Sequence, residues 1–322
     1  MGIDAATLLG ELSATRSVSG SELAQRLGVT RAAVWKQIEA LRALGAPIAA
    51  QAGAGYRLDW PFEALDAARI RAALPAALRR RLGAVDVHWQ LDSTNTALLR
   101  AASEGAADLS VCLAESQRAG RGRRGRSWLS PLGGNVYFSL LKRFAHGMGA
   151  LSGLSLVAGI AAIQALGDVG VPGLGLKWPN DVLADGRKLA GILVELGGEF
   201  LGPCHAVIGI GINLRLPHDA GIDQPYVDVA TLCDPPSRNR LVAQLIARLE
   251  TALQRFAAEG FVPFAADYAQ HDLLRGHPVS VRDAAGSRDG IAAGVDARGA
   301  LLVRHGGASV AYDSAEVSVR RA

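Results

Sequence analysis

Cysteine is scarce in this sequence, and the few positions it occupies exclude several classes of protein. Only three cysteines occur among 322 residues: Cys112, Cys204 and Cys233 lie far apart, and no C-x-x-C pair is present. A disulfide scaffold and a zinc knuckle are therefore not expected, whereas a reducing compartment is.

Long apolar runs are also missing. Gly, Arg or Pro interrupts each apolar stretch before it reaches the roughly 18 residues that span a bilayer. Residues 1–12 carry Asp4 and Glu11 and no basic segment ahead of an apolar core, so they do not have the form of a secretory signal. We expect a cytoplasmic protein with no membrane partner.

The overall composition indicates a folded protein of more than one domain. Hydrophobic residues make up 49% and charged residues 20%, which favours a packed core over disorder. The length suggests two or three domains. A net charge of +4 and a pI near 9.2 point toward polyanionic partners, although the distribution of charge matters more than its sum.

Residues 1–60 have the pattern of a small independent unit. A short amphipathic helix is expected over 5–12. Two further helices, over 22–27 and 31–44, are separated by the turn Gly28-Val29-Thr30, and two helices joined by a short turn containing glycine form the helix-turn-helix pattern. We expect Ser21 and Thr30 to cap the second and third helices of this unit. Glycines between Ile48 and Leu58 predict a tight hairpin, or wing.

The third of these helices supplies the candidates for contact with DNA. An exposed basic residue can reach phosphate or a base edge in the major groove. Arg57, near the wing, is a further candidate for phosphate contact. A tryptophan is unusual at a base-reading position, so Trp35 could instead pack against the domain. The groove-facing candidates are Arg31, Trp35, Lys36 and Gln37.

Residues 61–272 mix strand and helix patterns without strict alternation, which favours an α+β domain over a doubly wound sheet. The remainder, 273–322, alternates in short runs around glycine-rich turns and predicts a small β-barrel or sandwich. Strands are expected over 85–91, 109–114, 136–141, 189–196 and 206–212, and later over 279–281, 301–304 and 317–320. Helices are expected over 96–103, 151–166 and 240–258.

The segment that follows the second of these strands is the most informative in the chain. Residues 118–128, which we call the Gly–Arg loop, hold five arginines and three glycines, and no acidic residue lies between Glu115 and Asp168. Glycines let a backbone fold closely around a ligand, and guanidinium groups donate in pairs to phosphate or carboxylate. The alternative interpretation is a solvated basic loop or a nucleic-acid tract.

Two common nucleotide-binding motifs nearly fit this loop but are rejected. The spacing of Gly120 to Gly125 matches G-x-G-x-x-G, but no acid lies about 20 residues on to bind a ribose. Residues 120–127 resemble a P-loop in which Arg126 replaces the required lysine. Neither motif has a clear helix after it, so neither assignment is made.

Two further clusters carry polar side chains at chain turns. Pro179 interrupts a strand within Lys177-Trp178-Pro179-Asn180-Asp181, which places Asn180 and Asp181 at a turn. These two side chains could bind a cation or ribose hydroxyls, or simply form the turn. Asp185-Gly186 predicts a hairpin that puts Lys188 at the start of a buried strand, as a positioned cation or as an edge residue. Asp92-Ser93-Thr94-Asn95 is either a helix cap or a polar set able to surround a ureido group.

Together and in this order, these pieces resemble the biotin protein ligase family, in the bifunctional form that also represses the biotin operon. The resemblance covers nearly the whole chain, from Arg31-Ala32-Ala33 through the Gly–Arg loop and residues 177–181 to Gly209-Ile210-Gly211-Ile212-Asn213 and the C-terminal β domain. Each motif alone is moderately specific, and the combination is highly so. The resemblance implies a winged helix-turn-helix, a class II synthetase-like catalytic domain and an SH3-like barrel, with bounds 1–60, 61–272 and 273–322.

The function that this resemblance implies is ATP-dependent biotinylation. Biotin and ATP would form biotinyl-5'-AMP, with Mg²⁺ as cofactor, and biotin would pass to a lysine of the biotin carboxyl carrier protein of acetyl-CoA carboxylase. The same adenylate would serve as co-repressor, in a ligand-dependent homodimer on operator DNA. Fixed positive charge suits this chemistry because the carboxylate of biotin and the triphosphate repel each other as they approach.

The resemblance also implies roles for residues at matching positions. Catalysis is expected of Arg123 and Lys188. Biotin binding is expected of Ser93, Thr94, Asn95, Gln117, Gly120, Arg121, Gly122, Arg123, Lys188 and Gly191. ATP binding is expected of Arg123, Arg126, Trp128, Asn180, Asp181, Lys188 and Asn213, with Asp181 also the metal ligand. Residues 214–238 do not match the adenine-covering loop expected there, so none of them is assigned.

Three alternatives remain open on the sequence alone. The protein could be a ligase whose helix-turn-helix does not repress, or a DNA-binding sensor without catalysis. The sensor alternative is disfavoured because a sensor has no need of phosphate-handling groups, and the sequence keeps three of them: Arg123, Asp181 and Lys188. A lipoate or octanoyl ligase shares the catalytic fold but lacks the Gly–Arg loop.

Overall fold

The computed structural model describes residues 4–51, 53–217, 221–283, 286–313 and 318–321 of the chain. The helices are α1 (Ala5–Glu11), α2 (Gly20–Leu27), α3 (Arg31–Ala43), α4 (Ala67–Ala72), α5 (Ala76–Arg81), α6 (Thr94–Ser103), α7 (Leu154–Asp168), α8 (Val229–Leu232), α9 (Arg238–Glu259) and α10 (Ala265–His271). The strands are β1 (Ile48–Gln51), β2 (Gly55–Leu58), β3 (Val85–Leu91), β4 (Val111–Gln117), β5 (Val136–Phe144), β6 (Leu174–Lys177), β7 (Asp181–Ala184), β8 (Arg187–Gly198), β9 (Cys204–Ile212), β10 (Pro278–Asp283), β11 (Gly286–Val295), β12 (Leu301–His305), β13 (Ala308–Tyr312) and β14 (Ser318–Arg321).

The N-terminal unit is the expected helix-turn-helix followed by a two-stranded hairpin. Thr30 caps α3 by accepting from the backbone N–H of Ala33, as predicted. The cap of α2 is Ser19, which accepts from Glu22 N–H, so the prediction of Ser21 was wrong by two residues. Helix α2 starts earlier because Gly20 already adopts helical geometry, and Ser21 then lies inside its first turn.

This unit has a small core of its own, to which side chains from the central domain also contribute. Val34, Ile38 and Leu41 of α3 are buried in it, and Leu132 joins the same cluster from beyond the Gly–Arg loop. The N–H of Leu132 also donates to the carbonyl of Leu44, just after α3. The segment after the Gly–Arg loop is therefore in direct contact with the end of α3.

The central domain is built on one seven-stranded sheet, in the order β3-β4-β5-β9-β8-β7-β6. Only β3 and β4 run parallel, and the other neighbouring pairs are antiparallel. This mixed sheet confirms the α+β prediction. Strands β6 and β7 were not predicted, because each has only four residues and they flank the proline that interrupts the pattern.

Helices α7 and α9 pack together over this sheet. Helix α7 is apolar around nearly its whole circumference, as a helix enclosed on several sides must be. Helix α9 begins at a buried ion pair, in which Arg238 Nη1 lies 2.7 Å from Glu115 Oε2 of β4. Two backbone carbonyls, those of Glu63 and Asn135, accept from the same guanidinium. The pair is thus hydrogen-bonded as a buried charge requires.

The C-terminal unit is a five-stranded antiparallel sheet in the order β13-β12-β11-β10-β14. Within the part of this unit that the structure describes, the edge strands β13 and β14 are not paired with each other, so the sheet is not a closed barrel. The predicted strand at 317–320 corresponds to β14, although Val317 itself lies outside the described residues.

Among the described residues, no helix combines the length and the apolar character that crossing a membrane would require.

Candidate active site

The Gly–Arg loop begins at the end of β4 and is anchored beside β3. The N–H groups of Arg118 and Ala119 donate to the carbonyls of Leu91 and Asp92. Farther along, Gly122 N–H donates to Arg126 O at 2.6 Å and Trp128 N–H to Gly120 O at 2.8 Å, which closes the loop into a hairpin-like turn. The next regular element is β5 rather than a helix, so the rejection of the dinucleotide and P-loop motifs is confirmed.

Two glycines in this loop are required by its geometry. A Cβ on Gly120 would lie 2.5 Å from the carbonyl oxygen of Trp128 and 2.8 Å from Ser130 Oγ, closer than such atoms can approach. Gly125 has φ of 73°, a left-handed conformation that costs glycine little. The glycines therefore permit the tight fold of the loop itself.

The loop arginines point to different partners. Arg121 Nη2 lies 2.8 Å from Glu195 Oε2 on β8. Arg123 Nη1 lies 3.5 Å from Asn180 Oδ1, and burial lowers the pKa of Arg123 while the charge of Asp181 opposes that shift. Arg126 is exposed. Of the three, Arg123 is the one that the fold brings to the Asn180–Asp181 turn.

Lys188 and Asp181 form the second half of the site. They lie on the β7–β8 hairpin, which turns at Asp185 and Gly186 with φ of 49° and 71°, as the sequence predicted. Lys188 Nζ is 2.8 Å from Asp181 Oδ1, and the two side chains are only 15% and 19% exposed. The register of the hairpin shifts between Val182 and Leu183, an irregularity of the kind that re-aims side chains near active sites.

Trp128 joins the loop to this hairpin. Its ring centroid is 5.4 Å from Lys188 Nζ, within the range of a cation–π contact. The ring also lies on bare backbone, because a Cβ on Gly191 or Gly211 would come within 2.9 Å or 2.5 Å of its carbons. The indole Nε1 is buried, and no acceptor within the described ranges reaches it. A buried donor without a partner is available to a ligand.

The polar cluster at the start of α6 is not an ordinary helix cap. Ser93 precedes the helix without capping it, and the N–H of Thr94 donates to Gln117 Oε1 at 2.9 Å. Gln117 Nε2 in turn donates to Ser130 Oγ at 3.0 Å. Thr94 and Gln117 therefore meet at the base of the Gly–Arg loop, with Ser93 next to them in the chain.

Asn95 is buried and its amide is fixed from three directions. Its Nδ2 donates to Leu193 O at 3.2 Å and to Glu195 Oε2 at 2.8 Å, and Ser139 Oγ lies 2.6 Å from its Oδ1. Gly209 leaves room for this amide, since a Cβ there would lie 2.3 Å from Asn95 Oδ1. With both amide hydrogens used by protein acceptors, Asn95 can offer a ligand only its oxygen.

Asn180 and Asn213 both hold backbone in place. Asn180 Nδ2 donates to Ile192 O at 2.9 Å. Asn213 Nδ2 donates to Lys188 O at 3.3 Å and to Val227 O at 3.2 Å, and is nearly fully buried. The donors of Asn213 are therefore used to clamp a second segment against the start of β8.

That second segment, residues 225–229, is one that the sequence analysis left unassigned. Lys188 N–H donates to Pro225 O and Val227 N–H donates to Lys188 O, so Tyr226 forms a short parallel bridge beside Lys188. The N–H of Val229 donates to Asn213 O. The prolines in this region gave no strand or helix signal, and only the tertiary pairing reveals its position.

A structural role for Trp178 was not predicted, although this residue lies between Lys177 and Pro179 in one of the candidate motifs. It is 1% exposed, and its indole Nε1 donates to Gly299 O at 3.1 Å in the turn between β11 and β12. A tryptophan beside a proline turn was the available signal. This contact fixes the C-terminal unit to the turn that carries Asn180 and Asp181.

On the N-terminal unit, α3 presents a polar face to solvent. Arg31 and Lys36 are exposed, Gln37 is half-buried, and Trp35 is 58% exposed, so it does not pack into the core. Arg57 on β2 is exposed as well. These side chains lie on a different unit from the cluster around Lys188, so the chain carries two separate candidate sites.

Comparison with known proteins matches both units. Residues 87–213 match the biotin/lipoate A/B protein ligase family and residues 5–57 match the HTH domain. The bifunctional ligase/repressor BirA of Salmonella typhimurium is 39% identical over 319 residues, which is 98% of this chain and 97% of that protein. The biotin–[acetyl-CoA-carboxylase] ligase of Paracoccus denitrificans is 36% identical over 236 residues, or 70% of this chain and 96% of that protein. The structure of biotin protein ligase from Aquifex aeolicus in complex with biotin and ATP aligns with a TM-score of 0.64 at 26% identity, covering 74% of this chain and 99% of that one.

Proposed function

The chain belongs to the family of bifunctional biotin ligase/repressors, and from this premise we propose how its two sites work. It is a biotin protein ligase that uses ATP, and its N-terminal helix-turn-helix domain makes it a repressor as well. The observation that carries the catalytic proposal is that Lys188 contacts both Asp181 and Trp128, the last residue of the Gly–Arg loop.

The reaction has two steps. A carboxylate oxygen of biotin attacks the α-phosphorus of ATP, the bond to the β-phosphate breaks, and biotinyl-5'-AMP and pyrophosphate form. The neutral amine of a lysine on the biotin carboxyl carrier protein then attacks the anhydride carbonyl. AMP leaves, an amide forms and a proton is released.

Arg123 and Lys188 are the proposed catalytic residues. In the first step, negative charge accumulates where the carboxylate meets the phosphate, and preorganised cations stabilise that charge most strongly in a site from which water is excluded. Lys188 is only 15% exposed, and Arg123 lies on the loop that covers the Asn180–Asp181 turn. Arg126, which is exposed, is proposed to reach the outer phosphates when ATP is bound.

Trp128 is proposed to hold the nucleotide. Its ring is backed by Gly191 and Gly211, and its buried indole N–H has no protein acceptor among the described residues. Asn180 and Asn213 support this subsite by fixing the backbone on which Lys188 and Ile192 lie.

Biotin is proposed to bind between the start of α6 and the Gly–Arg loop. Ser93, Thr94 and Gln117 supply donors and acceptors for its ureido group, and Asn95 can add an oxygen. The backbones of Gly120, Gly122 and Gly191 are proposed to line this subsite, and Arg121 and Arg123 to cover the carboxylate end.

A magnesium ion fits the site only together with the nucleotide. The described residues contain no group of three His, Cys, Asp or Glu side chains that could hold a metal. Asp181 offers one carboxylate, and Mg²⁺ is commonly bound by one or two carboxylates plus substrate phosphates. We propose that Asp181 holds such an ion, which would neutralise phosphate charge when bound.

The DNA-binding proposal concerns α3 and the wing. Arg31, Trp35, Lys36 and Gln37 would face the major groove, and Arg57 would contact phosphate. The adenylate would act as co-repressor by favouring a homodimer on operator DNA. Footprinting of the biotin operon promoter with and without biotin plus ATP tests this half, and the absence of protection in both states would leave only a ligase.

The bounds and the fold types of the domains are also proposed from the family to which the chain belongs. The units would be bounded as 1–60, 61–272 and 273–322, with a class II synthetase-like catalytic domain and an SH3-like barrel at the C-terminus. The Trp178–Gly299 hydrogen bond supports a direct contact between the catalytic domain and the C-terminal domain.

One assay tests the enzymatic proposal directly. Labelled biotin should be transferred to a carrier-domain fragment only when ATP is present, and lipoate and octanoate should not compete. Transfer of lipoate or octanoate in preference to biotin would instead identify the related ligase. Failure to form biotinyl-AMP from biotin and ATP would contradict the proposal altogether.

A further inference from the structure

Glu195 of β8 is an acidic residue to which no role has yet been given, and it contacts two parts of the site at once. Its Oε2 lies 2.8 Å from Asn95 Nδ2 at the start of α6 and 2.8 Å from Arg121 Nη2 in the Gly–Arg loop. One carboxylate oxygen thus accepts from two segments that are far apart in the sequence. The side chain of Glu195 is 24% exposed and that of Arg121 is 43% exposed.

On the Asn95 side, Glu195 completes a fixed arrangement. Ser139 and the carbonyl of Leu193 hold the other positions of the Asn95 amide, and Glu195 accepts its remaining N–H, so that the amide is held at every position. An oxygen at position 195 is sufficient for this, because a neutral acceptor can also receive the Asn95 N–H.

On the loop side, the charge of Glu195 matters. The backbone hydrogen bonds in the middle of the Gly–Arg loop run within the loop itself, among them those from Gly122 to Arg126 and from Trp128 to Gly120. The ion pair of Arg121 with Glu195 ties the first half of the loop to the sheet, while Arg123 reaches Asn180 at a longer 3.5 Å. A half-exposed ion pair contributes little, so it can hold the loop yet release it.

We propose that Glu195 is a positioning residue that latches the Gly–Arg loop, through Arg121, to the Asn95 side of the biotin subsite. Closure of the loop and orientation of the Asn95 amide are then coupled through one carboxylate. The assignment of the subsite to biotin rests on the proposed function, whereas the latch itself is a property of the loop and can be measured without ligand.

The test uses the full-length protein and the Glu195→Gln variant, which keeps an acceptor for Asn95 but loses the charge that holds Arg121. Hydrogen exchange of the peptide covering residues 118–128 should be about two- to fivefold faster than in the wild type, the range expected for a half-exposed ion pair. The KM for biotin should rise by a similar factor, with kcat for adenylate formation changed less than twofold.

In the ligand-free protein, Arg121→Gln should speed hydrogen exchange of this peptide as much as Glu195→Gln does, and the double variant Arg121→Gln/Glu195→Gln should exchange no faster, because both changes remove the same interaction. Salt at 0.5 M, chosen because it screens exposed charges, should bring wild-type exchange close to that of Glu195→Gln.

The matched control is Arg118→Gln. Arg118 also pairs with an acid, Asp92, but both side chains are more than 60% exposed at 63% and 67%, and the pair lies at the base of the loop.

Wild-type exchange of this peptide in Glu195→Gln, or additive effects on exchange in the double variant, would overturn the latch. Circular dichroism of each variant separates these outcomes from unfolding, and Glu195→Gln is preferred to Glu195→Ala because it retains the Asn95 contact. If the wild-type protein forms no biotinyl-AMP, the proposed function fails, and the exchange measurement still decides whether Glu195 holds the loop.

Discussion

The indole ring of Trp128 rests on the backbone of Gly211, where any side chain would collide with it. A Cβ on Gly211 would lie 2.5 Å from Cε2 and 2.6 Å from Nε1 of that ring. Gly211 is the next-to-last residue of β9 and pairs with both neighbouring strands, so the sheet fixes the position of the backbone while the loop carries the ring. The absence of a side chain at position 211 is therefore what allows Trp128 to occupy the proposed nucleotide subsite.

Gly211→Ala is expected to displace Trp128 and to weaken ATP binding. Forcing a methyl group into such a contact typically costs about 1–3 kcal/mol, so KM for ATP should rise roughly tenfold, more than KM for biotin. Steady-state pyrophosphate release at varied ATP and biotin measures this. The control is Gly167→Ala in α7, where a Cβ would meet nothing within 4 Å and both KM values should stay at wild type. Equal changes in the two variants would contradict the role given to Trp128.

Lys188→Gln is expected to reduce the rate of biotinyl-AMP formation by about two to three orders of magnitude, because removing one preorganised electrostatic group from a transition state typically costs this much. The variant also leaves Asp181 without its ion-pair partner, so thermal unfolding should be recorded alongside. Lys142→Gln is a matched control, because Lys142 lies on β5 of the same sheet, is 14% exposed and also pairs with an aspartate, Asp108. A rate within a fewfold of wild type for Lys188→Gln would remove this lysine from catalysis.

Arg31→Ala and Lys36→Ala should weaken binding to operator DNA and reduce its dependence on salt. Each lost phosphate contact should lower the slope of log K against log salt concentration by about 0.9. Arg42→Ala serves as control, because Arg42 lies on the same helix but pairs with Glu39 at 2.9 Å. The measurement is a binding titration at several salt concentrations. An unchanged slope in both Arg31→Ala and Lys36→Ala would show that α3 does not face the phosphates.

Asp272 should make stability depend on pH in an unusual direction. Burial raises its pKa above the ordinary 3.8, and backbone donors from Leu274 and Arg275 only partly offset this. The charges of Arg275 and His277 also lower that pKa, while the neighbouring Tyr268 has its own pKa raised, by burial first and by Asp272 second. The folded state therefore favours the protonated carboxyl.

Because the pKa of Asp272 is raised on folding, its contribution is fully present below about 3.8, the unfolded value, and is lost as pH rises through the folded value. Asp272→Asn should thus be at least as stable as the wild type at pH 7, and its relative advantage should shrink as pH falls toward 4. Denaturant unfolding of both proteins at pH 7, 5 and 4 measures the difference. A difference that stays constant with pH would mean that Asp272 ionises normally.

The architecture could largely be predicted from local patterns. Helix α3, the wing and strands β3, β5, β8 and β9 follow from hydrophobic periodicity, which acts over a few residues and is therefore visible in the sequence. The β7–β8 hairpin was predicted because Asp185 and Gly186 take positive φ angles that few other residue pairs tolerate. Short elements such as β6, β7 and α4 were not predicted, since four to six residues give too little periodicity.

The chemistry of the candidate site was likewise visible as residue types. An arginine-rich loop without nearby acids, a lysine after a hairpin and a polar turn before a helix each had both a functional and an ordinary structural interpretation. Their local patterns left both options open for Lys188 and for Ser93 to Asn95. Only their meeting in space, with Gln117 bonded to Thr94 and Lys188 to Asp181, separates a site from isolated turns.

The sequence by itself determined which segments form helices and strands and which residue types carry charge, because both depend on covalent chemistry and near neighbours. The tertiary structure decided the partners: Glu195 with Arg121 and Asn95, Trp128 with Gly211, Trp178 with Gly299, and residues 225–229 with Lys188. These contacts join residues up to 121 positions apart. Hydrogen bonds and van der Waals contacts act over a few ångströms, so only the folded chain can show which distant residues they join.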